Sequence, residues 1–85
     1  MKTLFLLQAE FDGRAEVPLT EICEPYLSMG KKRAESLAKV QKLPFPVHRL
    51  GTQRSPWMVN LIDLAKYIDQ CRKEAEDEWF KMNAA

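Results

Sequence analysis

Eighty-five residues make one domain, 1–85, and a chain this short buries only about 60–65% of its unfolded surface, so its stability is modest unless it associates. An apolar fraction of 46% with 29% charged residues excludes wholesale disorder. The net charge of +1 conceals a segregation: residues 1–30 carry −3, residues 31–54 carry +6 and residues 55–85 carry −2, and a basic block between acidic flanks is the footprint of a polyanion-binding face.

The apolar run Leu4-Phe5-Leu6-Leu7 stops at Gln8, before Glu10 and Asp12. It is too short for a secretory signal or a membrane span, and a cytoplasmic protein is expected. Residues 3–12 favour a helix, with Thr3 as cap, Leu4, Leu7, Gln8 and Phe11 on one stripe, and Gly13 at its end. A strand is the rival reading, because the apolar run does not alternate. Val17 begins a short extended segment before Pro18. Thr20 is then a good N-cap for a helix that buries Ile22, Cys23, Tyr26 and Leu27 and ends near Tyr26 or Leu27, its last turn shortened or kinked by Pro25.

Ser28-Met29-Gly30 forms a tight turn, and Ser28 or Gly30 starts a basic helix running to about Gln41. Its inner face is Ala34, Leu37, Ala38 and Gln41, with Val40 beside them. Lys31 and Arg33 stand at its start, and Lys32, Glu35, Ser36 and Lys39 face outward. Two short helices joined by a turn, the second with a polar outer face, form a helix-turn-helix pattern. Leu43-Pro44-Phe45-Pro46 stops the helix, Val47-His48-Arg49-Leu50 forms a strand, Gly51–Ser55 turns, and Trp57-Met58-Val59 returns. The product is a small hairpin with arginines near its tip, a wing. Asn60 caps a last helix, with Asp63 at its third position and Leu61, Leu64, Ala65, Ile68 and Cys71 as its buried stripe. The stripe continues through Ala75, Trp79 and Met82. Trp79 and Phe80 need either an intrachain dock or a second subunit, and a homodimer interface at Ala75, Trp79, Phe80 and Met82 is the preferred reading. The expected fold is therefore mainly α with a small β-hairpin, a winged helix-turn-helix with a long C-terminal helix.

With these stretches read, the chain resembles the pyocin activator protein family of phage-related transcription activators. The matching residues are Thr3–Leu7 with Ala9-Glu10-Phe11, Pro18-Leu19 with Cys23 and Tyr26, and Leu43-Pro44 with Pro46. Arg49-Leu50-Gly51 and Ser55-Pro56-Trp57 leading to Asp63-Leu64-Ala65 complete the set. Leu19 to Ile68 is also similar to the wider excisionase and MerR-like winged-helix group. The first resemblance implies a sequence-specific DNA-binding activator of phage-type or bacteriocin genes. The second implies DNA binding alone, often as an architectural factor that bends the duplex. A small interaction protein that takes an acidic partner through the basic block is a third reading.

On the DNA reading, double-stranded DNA is the partner and RNA polymerase a candidate second one. Arg49 and Arg54 contact phosphate or the minor groove. Lys31, Lys32, Arg33 and Lys39 contact phosphate, Glu35 and Ser36 reach base edges, and Thr52 and Gln53 also reach DNA. The rival for each is a solvated charged surface. Trp57 and Phe45 are expected in the core, with base stacking as the alternative. His48 is expected as a packing or hydrogen-bonding residue and is the only histidine, so no metal site can be assembled. Cys23 and Cys71 are expected as free, packed thiols. No catalytic set, phosphate loop or cofactor motif is present, and an enzyme is not expected.

Overall fold

The computed structural model describes residues 2–83. Its elements follow in the order α1 (Lys2–Glu10), β1 (Glu16–Pro18), α2 (Leu19–Leu27), α3 (Lys31–Lys39), β2 (His48–Arg49), β3 (Trp57–Asn60) and α4 (Leu61–Asn83). The mainly helical class with a small β element is as expected.

Residues 2–10 are helix, not strand. Thr3 lies inside α1 and not at its cap; its hydroxyl donates to Asp69 Oδ1 of α4 at 2.5 Å. Asp12 and Gly13, both at positive φ, end the helix, and the Gly13 N–H donates to the Gln8 carbonyl. The Ala15 carbonyl accepts from the N–H of Leu61 at the start of α4. With Thr3 level with Asp69 and Ala15 level with Leu61, α1 runs antiparallel to α4.

α2 begins two residues earlier than the Thr20 cap predicts. Its N-cap is Pro18, whose φ of −62° suits the proline ring, and no side chain caps the helix. The helix continues through Pro25 to Leu27, where Ser28 turns left-handed at φ 55°. The Ser28 and Met29 N–H groups then donate to the Glu24 and Cys23 carbonyls, which satisfies the orphan acceptors of the last turn. Gly30 is the N-cap of α3. α3 stops at Lys39, not Gln41. Gln41 is left-handed and exposed, and Val40 is exposed as well, so neither joins the inner face.

The β element holds one strand more than a hairpin. β3 is central and pairs antiparallel on both sides, in the order β1-β3-β2. Val17 lies opposite Val59 and Pro18 opposite Met58, while His48 and Arg49 lie opposite Met58 and Trp57. Strand pairing between residues 16–18 and 58–60 is long-range, and nothing local in the sequence signals it. β2 is only His48–Arg49, shorter than the expected Val47–Leu50.

The core gathers Leu7 and Phe11 of α1, Leu19, Ile22 and Cys23 of α2, Ala34 and Ala38 of α3, and Leu61, Leu64 and Ala65 of α4 around Val17 and Val59. Phe45 is buried as expected and meets Tyr67 edge-on. Asn60 caps α4 as predicted, its Oδ1 accepting from the Ile62 N–H at 2.8 Å. Cys71 does not pack: it is exposed, and so is every described residue after it. The apolar stripe of α4 does run on, but α1, which covers it, has its N-terminal end beside Asp69.

Tyr26 ties α2 to α1 by donating its phenol to the Glu10 carboxylate. Burial first, and then the Glu10 hydrogen bond and charge, push its pKa from 10.0 up to about 12. A folded value above the unfolded one stabilises fully below pH 10 and is lost as pH rises through 12. A spectrophotometric titration is expected to show one tyrosine ionising near pH 12, a step absent in Tyr26→Phe. In urea, Leu64→Ala in the core costs about 2–5 kcal/mol, whereas Leu50→Ala on the exposed shoulder of β2 stays within about 0.5 kcal/mol.

Candidate nucleic-acid interface

The sheet register decides where Arg49 points. Successive strand residues face opposite sides, and paired residues share a side. Val17, Val59, Trp57 and Arg49 therefore share the core side, while Glu16, Pro18, His48 and Met58 share the other. The contact between His48 Nε2 and Glu16 Oε1 lies on that second side.

On the first side, the Arg49 guanidinium carbon sits 4.3 Å from the centre of the Trp57 ring. Both residues are half-buried, and Trp57 packs against the edge of the core, as expected, while also forming the floor under the arginine. Arg49 Nε and Trp57 Nε1 are buried with no hydrogen-bond acceptor among the described residues. Stacking of this kind fixes the long arginine side chain in one orientation before any ligand arrives.

A cleft of about 300 Å³ opens beside the stack, between the start of α2, the outer side of α3 and the hairpin. Thr20, Glu35, Arg49, Arg54 and Trp57 are among its lining residues. It unites three side chains expected to touch DNA: Glu35 from the helix and Arg49 and Arg54 from the hairpin. Lys31, Lys32, Arg33, Ser36 and Lys39 are exposed on α3 but do not line the cleft, and Thr52 and Gln53 are exposed on the loop. Thr20 was not anticipated there. Because Pro18 is the cap, Thr20 falls in the first turn and lines the cleft.

α3 is built for close approach behind and charge in front. Ala34 and Ala38, both buried, let it lie near α2. Its first turn carries Lys31, Lys32 and Arg33 and no acid, and Gly30 gives no side-chain cap. Cations at the positive end of a helix each cost a few tenths of a kcal/mol or more at an exposed site, a cost that a docked anion relieves.

The hairpin tip is held by its own hydroxyls. Gly51 takes φ 100°, a conformation that favours glycine. Ser55 Oγ accepts from the Thr52 N–H at 3.2 Å, and Thr52 Oγ1 accepts from the Arg54 N–H at 3.3 Å. The turn thus orders the backbone on either side of Gln53 and Arg54 while both side chains stay exposed.

The family model described as "Pyocin activator protein PrtN" matches residues 3–75. The chain belongs to the pyocin activator family. Neither the curated proteins nor the solved structures give a match. The family match spans α1 to the middle of α4 and includes every residue expected to touch DNA. Trp79, Phe80 and Met82 lie beyond it, all exposed, with Trp79 and Phe80 packed edge-on at 5.1 Å. Among the described residues, no three His, Cys, Asp or Glu side chains gather as a metal site would require, and no helix is long and apolar enough to cross a membrane.

The stack makes a stability difference between the two hairpin arginines. In urea denaturation, Arg49→Ala is expected to cost about 0.5–2 kcal/mol through the lost cation–π contact. Arg54→Ala stays within about 0.5 kcal/mol.

Proposed function

We propose that this member of the pyocin activator family is a sequence-specific, DNA-binding transcription activator of phage-type or bacteriocin genes. On this reading α2, the Ser28–Gly30 turn and α3 form a helix-turn-helix, and the β2–β3 hairpin is its wing. α3 enters the major groove with Glu35 and Ser36 at base edges, where a glutamate accepts from cytosine N4. Lys31, Lys32, Arg33 and Lys39 hold the flanking phosphates. Arg49, Arg54, Thr52 and Gln53 follow the backbone or the minor groove. The protein acts in the cytoplasm as a homodimer through Ala75, Trp79, Phe80 and Met82, needs no cofactor, performs no catalysis, and has RNA polymerase as a second partner.

The observation that carries this reading is the placement of the basic block. The +6 segment 31–54 falls on α3 and the hairpin, and these two elements share one cleft through Glu35, Arg49 and Arg54. On this reading, a protein of net charge +1 presents its cations on one face.

Gel shifts with random duplexes at several salt concentrations test it. With five or so phosphates neutralised per subunit, log affinity falls against log salt with a slope of roughly −4 to −5. Changing Arg49 and Arg54 together to Ala weakens binding to all sequences and flattens the slope by about 2. Glu35→Ala instead lowers discrimination at one base pair by about 1–3 kcal/mol. Absent or salt-insensitive binding contradicts the proposal.

A further inference from the structure

α1 is apolar nearly all round. Leu4, Leu7 and Phe11 face the core, yet Phe5 and Leu6 on its other side are 68% and 72% exposed. A surface helix normally shows a polar outer face; one that is hydrophobic on both sides is covered on both. At the far end of the chain, Trp79, Phe80 and Met82 are 59%, 60% and 81% exposed on the part of α4 that extends past α1. We infer that these are the two halves of one self-complementary interface: the α4 extension of one copy docks on the outer face of α1 of a second copy. This rests on the homodimer reading above and adds to it an acceptor surface, Phe5 and Leu6.

Three features commit the surface to a second copy of this chain. The first is position. α1 is antiparallel to α4 with Thr3 beside Asp69, so Phe5 and Leu6 stand nearly level with Lys66 and Tyr67. A two-fold axis crossing α4 near Glu74 lays the second α4 antiparallel. Trp79 to Met82 of one copy then come level with Asp69 to Lys66 of the other, beside its Phe5 and Leu6. Both contacts form at once, as an isologous interface requires.

The second feature is charge. The extension carries Arg72 and Lys73, then Glu74, Glu76, Asp77 and Glu78, with Arg72 3.8 Å from Glu76 of its own helix. The antiparallel arrangement sets Arg72 of each copy against Glu76 of the other and brings together only the two Glu74 side chains at the axis, where a parallel one aligns all four acids with one another. The third is area. At their observed exposures these five side chains hold on the order of 600 Å² of accessible surface. Two copies together bury on the order of 1,200 Å², which reaches the range of specific interfaces before Cys71 and Ala75 are added.

Sedimentation equilibrium of the full chain, with a cross-linking arm, tests this. The unaltered chain is expected to be a dimer, and Leu6→Asp to weaken dimerisation at least about tenfold, as Trp79→Ala does, with unchanged helical circular dichroism. For the second arm, Leu6→Cys and Phe80→Cys are each made in a Cys71→Ser background, leaving buried Cys23 as the other thiol. Mixed and gently oxidised, the two variants are expected to form a disulfide with each other in preference to themselves, since the bond needs Cα atoms within about 7 Å. A dimer of unchanged affinity in Leu6→Asp, with no mixed disulfide, overturns the α1 dock and leaves the homodimer standing. A monomer at all micromolar concentrations overturns both. DNA binding is scored separately by gel shift, so its loss or survival does not bear on either outcome.

Discussion

Four residues, Trp57–Asn60, hold the molecule together. β3 is paired on both edges, to β1 and to β2, and passes without a loop into α4. Val59 is wholly buried against Val17, and Asn60 caps the helix that follows. β1 in turn ends in Pro18, the N-cap of α2, so the strand pairing also sets where the first helix of the α2–α3 pair begins. The register admits no slip. A shift of one residue turns Val59 out and Arg49 to the opposite side of the sheet. Core formation and placement of the candidate DNA-contacting arginine are therefore the same constraint.

The electrostatics follow from that geometry. Arg49 costs little extra entropy to present, because Trp57 holds it in place while part of its side chain is already buried. α3 works the opposite way: three cations crowd its own positive end with no cap or acid to offset them. This is a local destabilisation that an anion removes, and it is affordable because Ala34 and Ala38 anchor the other side of the helix in the core. The cleft between α3 and the hairpin joins the two cationic elements and places the acidic Glu35 among arginines. There it offers an acceptor in a field that otherwise favours phosphate.

Much of this was legible in the sequence, and the failures have physical causes. α3 was readable because Ala34, Leu37 and Ala38 keep helical spacing, and the helix α4 because Asn60 is a cap followed by a sustained stripe. The hairpin was readable from Pro44-Phe45-Pro46, Gly51 and the flanking apolar residues. The β1–β3 pairing was not, since Val17 in a three-residue strand has no periodicity and its partner lies 42 positions away. Thr20 is a good capping residue by type, but the extended conformation fixed at Pro18 began the helix first. Cys71 keeps the apolar spacing of α4 yet is exposed, because periodicity reports a face and not whether another element reaches it. Arg49 was identified as a contact candidate without its support: the cross-strand pairing to Trp57 needed the register, which turn composition alone does not give. The family resemblance seen in the residues agrees with the family match over 3–75.

On the proposed function, α3 and the hairpin form one DNA-contacting surface. Amide chemical-shift mapping by nuclear magnetic resonance, with a duplex titrated into the labelled protein, tests it residue by residue. The largest perturbations are expected within residues 31–39 and 49–57 and should fade together as salt is raised. Residues 2–10 should stay unmoved. Perturbations centred on α1, or on α3 alone with the hairpin silent, contradict it.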